Sequence, residues 1–352
     1  MIRRRIARLV SVGLVLLLVG LVGAGPATAK GHLNVLLSGL NSPKGIFAGS
    51  NSLFVGQGWA GPPDPVLNYL LTGRNRGTAP AVTDPVSVVD LVGTPDGAGW
   101  AIGGDGVLYR QATSTSAIDA VFDILAYQAI DIDPADKDNP PNPGESNPNG
   151  LAALPSNDVL IADAAGNDVL RVTPSGDAVT VARWPVEIIP NSIPGLPPEL
   201  PAEAVPTTVT IGPDGWAYVG QLVGFPGTPG TAHIWRLNPW AENAVCDVTA
   251  PNADCAVWKS GFTSIFDIAF NPNNGTLYVY EIAEAGWLAF EAGFETGNFP
   301  PAVLLQVKGD KTRELVRGQL SQPGGVAIGH DGSIYVTDGM FTGGRLLKLT
   351  GS

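Results

Sequence analysis

The residues best suited to chemistry in this sequence recur at equivalent places, directly after short apolar runs of β-strand character. Five of the six positions carry an acid or its amide; the six are Gln57, Gly104, Asp163, Gln221, Glu281 and Asp338. Carboxylate and amide oxygens are the ligands that Ca²⁺ and Mg²⁺ prefer in proteins. If these strand ends share one face, Asp163, Glu281 and Asp338 would form a site for a divalent metal, and the amides would contact polar ligand groups.

A structural explanation competes with this one, because Asp and related polar side chains commonly cap turns at the ends of strands. Asn147, Asn149 and Asp267 begin their own predicted strands near the same place and could add oxygens to the ring. Asn147 precedes a proline, however, and that pair is also a frequent way to open a turn. Both explanations stay open from the sequence.

A second acidic group consists of Asp131, Asp133, Asp136 and Asp138, which resembles a cation-binding loop. It lacks the glycine and the terminal glutamate of EF-hand spacing. A solvated acidic loop is the better prediction.

The common catalytic motifs are absent from the sequence: Gly-x-Ser-x-Gly, a Walker sequence, His-Glu-x-x-His and Cys-x-x-Cys do not occur. The three histidines, His32, His233 and His330, are far apart in the chain. General acid–base chemistry would therefore depend on carboxylates.

Four aromatic residues lie in predicted insertions and could form an apolar surface that contacts a ligand: Trp59, Trp287, Phe294 and Phe299. Packing of the insertions against the body of the protein would explain them equally well.

The elements that would position these residues are short strands separated by tight turns. Six turn dyads share this context, an apolar strand on either side, and recur about every 56 residues: Ser50-Asn51, Asp96-Gly97, Asn157-Asp158, Asp214-Gly215, Asn274-Gly275 and Asp331-Gly332. A third strand follows in most units.

Six such units predict an all-β fold, a six-bladed β-propeller that occupies residues 30–352 as one domain. Residues 33–37 are expected to supply the outer strand of the last blade and so close the ring. A β-sandwich or a parallel β-helix is the structural alternative; six similar units disfavour the first and the long period disfavours the second.

Insertions interrupt the repeats at residues 59–86, 117–130, 185–206 and 285–301. Apolar residues near helical spacing predict that residues 117–130 form a short amphipathic helix. Insertions on a repeat scaffold commonly gather on one face and form its binding surface.

The first 29 residues have the pattern of a secretory signal peptide. Basic residues at positions 3–8 precede an apolar run, and Ala27-Thr28-Ala29 provides small residues for cleavage after Ala29. An uncleaved membrane anchor is the alternative, although the apolar run is short for a span. We expect a secreted protein without a stable membrane span, exported by the general secretion route in preference to the twin-arginine route.

Cleavage there would remove four of the 20 basic residues and none of the 32 acidic ones, leaving 16 against 32 and a net charge of −16. Such a surface repels nucleic acid and anionic lipid. The expected partner is therefore a small molecule or an extracellular protein.

The two cysteines, Cys246 and Cys255, lie nine positions apart. In an exported chain this spacing predicts a local disulfide. Two free thiols are the alternative.

Several stretches together resemble one known family. Glu145-Ser-Asn-Pro-Asn-Gly150 followed by residues 159–168 is similar to the hallmark of the ScyD/ScyE family. Further similar stretches are residues 123–127, 204–215, 218–226 and 262–270, so the resemblance covers nearly the whole mature chain. The acidic, proline-rich insertion before Glu145 departs from the family pattern.

That family is named for exported proteins encoded with the cyanobacterial sunscreen pigment scytonemin, and its propeller is related to the NHL-repeat type. The resemblance implies a secreted propeller with no established reaction. We therefore expect a scaffold that binds a ligand or a protein. A divalent-metal-dependent hydrolase or lyase at the central channel is the alternative.

Overall fold

The computed structural model describes residues 31–84, 86–137 and 140–351. Within these ranges the chain forms six sheets of three to five strands, one separate two-stranded hairpin and two short helices. The sheets are the blades of a six-bladed β-propeller, as the sequence predicts. The predicted signal peptide (residues 1–29) and Asp138 lie outside the described residues.

The first three blades follow the N-terminal strand in chain order. Strand β1 is His32–Leu40, and blade 1 contains β2 (Ile46–Ala48), β3 (Ser52–Val55) and β4 (Leu67–Leu70). Blade 2 contains β5 (Val88–Gly93), β6 (Gly99–Gly103), β7 (Val107–Gln111) and β8 (Ile118–Asp123), and helix α1 (Ile124–Gln128) follows it. Blade 3 contains β9 (Pro148–Ala153), β10 (Val159–Asp163), β11 (Asp168–Val172) and β12 (Ala178–Arg183).

A hairpin precedes the last three blades. The hairpin consists of β13 (Glu187–Pro190) and β14 (Glu199–Ala202), and blade 4 contains β15 (Ala204–Ile211), β16 (Ala217–Val223), β17 (Ala232–Leu237) and, after the short β18 (Ala244–Val245), β19 (Cys255–Phe262). Blade 5 contains β20 (Ile265–Phe270), β21 (Leu277–Glu281), helix α2 (Trp287–Thr296), β22 (Val303–Lys308) and β23 (Lys311–Arg317). Blade 6 contains β24 (Pro323–Ile328), β25 (Ile334–Asp338) and β26 (Gly344–Thr350).

The ring is closed by the N-terminal strand, as predicted. Strand β1 pairs antiparallel with β26, from His32 opposite Thr350 to Leu40 opposite Gly344. The two ends of the folded chain thus share blade 6, and the edge of β26 is paired.

Apolar side chains on both faces of the second strands hold neighbouring blades together. Strands β10, β16, β21 and β25 are buried along their whole length. One cluster joins blades 3 and 4 and contains Leu160, Val219 and Trp235, all with 0% exposure. Burial of a side chain of this size contributes about 1.5–3 kcal/mol, so the contacts between blades contribute strongly to stability.

The strand order gives the disc two distinct faces. We define the upper face as the one at which the second strands end, with Asp163 and Asp338, and the lower face as the one carrying the Asp96 and Asp214 turns. In each lower-face Asp-Gly dyad the glycine has positive φ, for example 87° at Gly97, which other residues adopt only with strain. Insertions that follow the second strand of a blade emerge at the upper face. So do insertions that lead into the first strand of a blade, which we call the inner strand because it lies next to the channel.

The prediction that residues 117–130 form a helix is mostly wrong. Residues 118–123 form β8, which pairs with β7 from Gln111 opposite Ile118 to Val107 opposite Asp123. Only the last part is helical, where the Asp123 side chain accepts a 2.9 Å hydrogen bond from the Ala126 N–H. The unpaired edge of β7 favours a fourth strand, which outweighs the local spacing of apolar residues.

The predicted disulfide between Cys246 and Cys255 is present, with the two Cα atoms 5.2 Å apart. Both cysteines are buried in the cluster between blades 3 and 4, and β18 beside them pairs in parallel with β12. In the described part of the chain, no helix is long and apolar enough to cross a membrane.

Candidate functional site

The polar residues predicted to ring the channel mouth are buried at the upper face. Gln57, Asp163, Gln221, Glu281 and Asp338 are all at most 6% exposed. Asp163, Glu281 and Asp338 end the second strands of their blades, Gln57 follows one, and Gln221 lies two residues before the end of β16. What these side chains contact decides between a metal site and a set of caps.

Asp163 caps its own blade. Its Oδ1 accepts hydrogen bonds from the backbone N–H groups of Asn147, Ala165 and Gly166 at 2.7, 3.2 and 3.1 Å. Its Oδ2 accepts one from the Ser146 hydroxyl at 2.5 Å. Burial raises the pKa of Asp163, and the hydrogen bonds from Ser146 and the backbone oppose that shift.

The other acids repeat this arrangement. Asp338 Oδ1 accepts from the Ser321 and Gln322 N–H groups, both at 3.1 Å, and its Oδ2 pairs with Arg345. Glu281 accepts from the Thr263 N–H at 2.7 Å. For each acid, at least one backbone donor lies just before the inner strand of the same blade (Asn147, Thr263, or Ser321 and Gln322), so the acid fixes where that strand begins.

The amides divide into two kinds. Gln57 acts like the acids, because its Oε1 accepts from the Asn41 N–H at 3.0 Å and its Nε2 donates to the Pro65 carbonyl at 2.9 Å. Gln221 instead accepts from the Trp235 indole N–H and faces Glu187, with Nε2 3.4 Å from Oε2.

The predicted metal ligands fit a metal poorly. Among the described residues no three acidic, histidine or cysteine side chains are grouped so that they could hold a metal ion, and Asp163, Glu281 and Asp338 therefore do not form such a group. The carboxylate oxygens of Asp163 already accept hydrogen bonds from four donors. Capping accounts for the residue types that suggested Ca²⁺ or Mg²⁺.

The centre of the channel holds a buried cation that sequence reasoning missed. Lys44 is 4% exposed, and its Nζ donates a 2.6 Å hydrogen bond to the Asn149 carbonyl on the inner strand of blade 3. Asp90 and Asp267 act on it electrostatically, and Nζ lies 5.2 Å from the centre of the Phe266 ring. Lys44 thus reaches groups from three other blades, blades 2, 3 and 5, at the axis.

Inner-strand bulges explain why these residues meet. In four blades one inner-strand residue is unpaired opposite the second strand; these residues are Val89, Asn149, Thr207 and Phe266. Lys44 takes this place in blade 1, after Pro43, as Asn149 does after Pro148. The residue that follows the unpaired one is Asp90 in blade 2 and Asp267 in blade 5. A signal was present in the sequence, since Pro-Lys-Gly and Pro-Asn-Gly are similar.

Burial perturbs all three charged groups. It lowers the pKa of Lys44, against the attraction of Asp90 and Asp267. It raises the pKa of Asp90 to about 7, partly offset by Lys44. It also raises the pKa of Asp267, opposed first by the hydrogen bond from the Val326 N–H. One lysine therefore faces two carboxyl groups whose ionisation is disfavoured.

Asn147 and Asn149 have structural contacts. The Asn147 N–H donates to Asp163, and the Asn149 side chain donates a 2.7 Å hydrogen bond to the Thr207 carbonyl in blade 4. Asn149 therefore links neighbouring inner strands as well as accepting from Lys44.

The four aromatic residues singled out in the insertions come together above the channel. They join one partly buried apolar cluster, the mouth cluster, which we define as Trp59, Phe266, Trp287, Phe290, Phe294, Phe299, Met340 and Phe341. Phe266 belongs both to this cluster and to the channel wall beside Lys44. Blades 1, 5 and 6 each contribute, so the cluster spans the mouth on one side.

Phe341 is the hub of the mouth cluster, and sequence reasoning missed it. Its ring centre lies 5.4 Å from Trp59, 4.8 Å from Phe294 and 6.1 Å from Phe299. Phe290 lies beneath, 1% exposed, whereas Phe294 is 40% exposed. A signal existed in the position of Phe341, three residues after the strand-end acid Asp338.

The acidic loop before blade 3 is not simply solvated, which corrects that expectation. Asp133 is 4% exposed and accepts from the Asn167 amide at 2.9 Å and from the Ala135 N–H at 2.7 Å. Asp131 pairs with Arg183, and Asp136 accepts from the Asn142 N–H at 2.6 Å. These contacts fasten the insertion to blade 3.

His233 lies beside a buried acid at the upper face of blade 4. Its Nε2 is 3.8 Å from Oε2 of Glu187, and its buried Nδ1 has no hydrogen-bond partner among the described residues. Burial raises the pKa of Glu187 to about 7 and lowers that of His233. Glu187 begins the β13–β14 hairpin, so this contact holds the hairpin against the blade.

Comparison with solved structures supports the fold. The chain resembles a glucose dehydrogenase (13% identity, TM-score 0.55, 91% of this chain and 100% of the other) and the soluble aldose sugar dehydrogenase of Escherichia coli (13%, 0.53, 92% and 100%). It also resembles a putative gluconolactonase (13%, 0.54, 92% and 93%). No protein-family model and no curated protein matches the chain. At these identities the likeness establishes the propeller fold alone.

Proposed function

We propose that this propeller is a binding protein of the ScyD/ScyE type, and that it holds an apolar, flat ligand on the mouth cluster. The observation that carries the proposal is the meeting of aromatic rings from three blades above the channel. The polar ring that suggested catalysis is occupied by capping hydrogen bonds. The mouth cluster is the part of the upper face that offers a binding surface. Its exposed rings have no evident structural role.

The composition of the cluster favours binding over packing alone. Aromatic rings provide large contact area with few rotatable bonds, and they dominate the energetics of recognition sites. Trp59, Trp287, Phe299 and Phe341 remain partly accessible although the rings touch one another, and Phe294 is exposed. A ligand could therefore add to an arrangement that is already formed, at little cost in ordering.

The test uses a neutral fluorescent dye, Nile red, as the probe. Phe294→Ser and Phe341→Ala are expected to weaken its binding about tenfold or more, the usual effect of removing a central aromatic contact. Trp240→Ser is the matched control, because Trp240 is an exposed aromatic residue (50%) outside the cluster. Equal binding by all variants would refute the site. Binding to a second protein with no dye binding would identify the surface as a protein interface instead.

We also propose that the protein is exported and its first 29 residues removed. The disulfide supports this, because such bonds persist mainly in oxidising compartments. Amino-terminal sequencing of protein recovered from culture medium is expected to begin at Lys30. Recovery only from the cells, with residue 1 intact, would refute the proposal.

A further inference from the structure

A groove at the lower face, between blades 6 and 1, has a composition unlike the rest of this acidic protein. Its volume is about 530 Å³, within the range of small-molecule sites. Tyr69 and Tyr335 line it, together with three basic side chains, Arg76, His330 and Lys348. The three come from separate parts of the chain: the segment after β4, the β24–β25 turn and strand β26.

The equivalent position in other blades shows what Lys348 would do in a purely structural role. Arg110, Arg171 and Arg236 occupy it in blades 2, 3 and 4, each opposite the second residue along the second strand, as Lys348 is opposite Tyr335. Each arginine pairs with the aspartate of its own lower-face turn: Asp96 at 2.7 Å, Asp158 at 3.9 Å and Asp214 at 2.9 Å.

Blade 6 departs from this arrangement. Among the described residues, Lys348 makes no ion pair with Asp331, the aspartate of its turn, or with any other acid. The Asp331 carboxylate accepts instead from the Ser333 N–H at 2.9 Å and the Ser333 hydroxyl at 2.8 Å. The Lys348 ammonium lies 5.3 Å from the centre of the Tyr335 ring, on the wall of the groove.

Arg76 adds a second cation to the same groove. It is exposed, and within the described ranges it has no acidic partner at ion-pair distance. Among the described residues that line the groove, Asp331 is the only acid, and it faces Arg76, Lys348 and the His330 imidazole. Two cations without an acidic partner at ion-pair distance thus share this groove, and the charge of Lys348 acts on Asp331 only at longer range. Such a pair is unexpected in a chain whose net charge is −12.

We propose that this groove binds a small ligand through a phosphate or carboxylate group. Arg76 would supply a planar pair of donors and Lys348 a point charge, and both types of contact are common in recognition of oxyanions. The Tyr69 and Tyr335 rings would form the floor. The site is on the opposite face from the mouth cluster and is independent of the function proposed there.

Calorimetric titration of the mature protein with inorganic phosphate and, separately, with citrate tests the proposal at constant ionic strength set with sodium chloride. We expect saturable binding of at least one, and the tighter of the two identifies the group. Arg76→Ala and Lys348→Gln should each raise the dissociation constant about tenfold or more, the effect of losing one charged hydrogen bond.

Arg74→Ala is the matched control, because Arg74 is an exposed residue of the same turn that does not line the groove. Lys348→Gln is expected to fold, since Gln306 already occupies the equivalent place in blade 5. Arg76 is exposed, so its replacement tests the site even if Lys348→Gln is unstable. Absence of saturable binding of both anions, or equal weakening by Arg74→Ala, would overturn the proposal.

Discussion

The Val326 N–H donates a 2.7 Å hydrogen bond to Oδ2 of Asp267, joining the inner strand of blade 5 to that of blade 6. Asp267 Oδ1 accepts from the Thr208 hydroxyl of blade 4 at 2.7 Å, so one carboxylate links three blades. Asp90 makes a similar link, because its Oδ2 accepts from the Leu151 N–H of blade 3 at 2.8 Å. The axis of the propeller is thus held by buried carboxylates with Lys44 between them.

Lys44→Met is expected to destabilise the protein by about 3–5 kcal/mol, because it leaves two buried carboxyl groups without their cation. Denaturation in urea measures the loss. Lys311→Met, at an exposed position on β23, is the control and should change stability little. Adding Asp90→Asn to Lys44→Met should restore part of the stability, since it removes one unpaired charge. A loss below about 1 kcal/mol for Lys44→Met would show that the lysine is not the needed counter-ion.

A pH effect follows from Glu187, whose pKa burial raises from 4.5 to about 7. The folded protein holds this proton more tightly than the unfolded chain, so the contribution of Glu187 is fully present below pH 4.5 and is lost as the pH rises toward 7. His233 acts oppositely, because its pKa is lowered from 6.5 and its contribution is lost as the pH falls. Asp247 is the other nearby charge and raises the pKa of Glu187 further.

Glu187→Gln should therefore gain stability relative to the unmodified protein as the pH rises from about 5 to 8, because the amide keeps the contact with Gln221 without a buried charge. Unfolding free energies across this range measure the difference. Glu199→Gln, at an exposed site of the same hairpin, should show no such pH-dependent gain. A difference between Glu187→Gln and the unmodified protein that is constant with pH would contradict the raised pKa.

The repeat was predictable from the sequence because its signals are local. A turn such as Asp214-Gly215 between two apolar runs specifies a hairpin wherever it occurs, and the position of Asp163 at a strand end follows from the same pattern. The closing strand β1 was predictable as well, since a propeller that lacked it would leave the edge of β26 unpaired.

Other features depend on contacts between distant segments and could not be predicted in this way. Lys44 reads as a turn residue before a short strand, and only the closure of the ring brings it to Asp90 and Asp267. Phe341 follows Met340 in a short loop, and only the packing of blades 1, 5 and 6 against one another makes it the centre of the mouth cluster. The spacing of apolar residues in β8 fits a helix, and only the edge of β7 makes it a strand.

Asp163 offers a direct choice between a cap and a metal ligand. Asp163→Ala should destabilise the protein by about 1–3 kcal/mol, the cost of leaving buried donors without an acceptor, because Ser146, Asn147, Ala165 and Gly166 all donate to this carboxylate. Asp163→Asn should cost much less, since its amide oxygen can still accept from the three backbone N–H groups that now contact Oδ1. Asp119→Ala, at an exposed position on β8, is the control.

Thermal unfolding of each Asp163 variant with added calcium and with a chelator separates the two roles. A cap predicts the same order of stability in both conditions, because the carboxylate acts through hydrogen bonds that need no ion. A metal ligand predicts that calcium stabilises the unmodified protein and that both substitutions abolish the gain, since an amide is a weaker ligand than a carboxylate for a hard cation. The four donors around Asp163 favour the first result, in which the site tolerates Asn but not Ala.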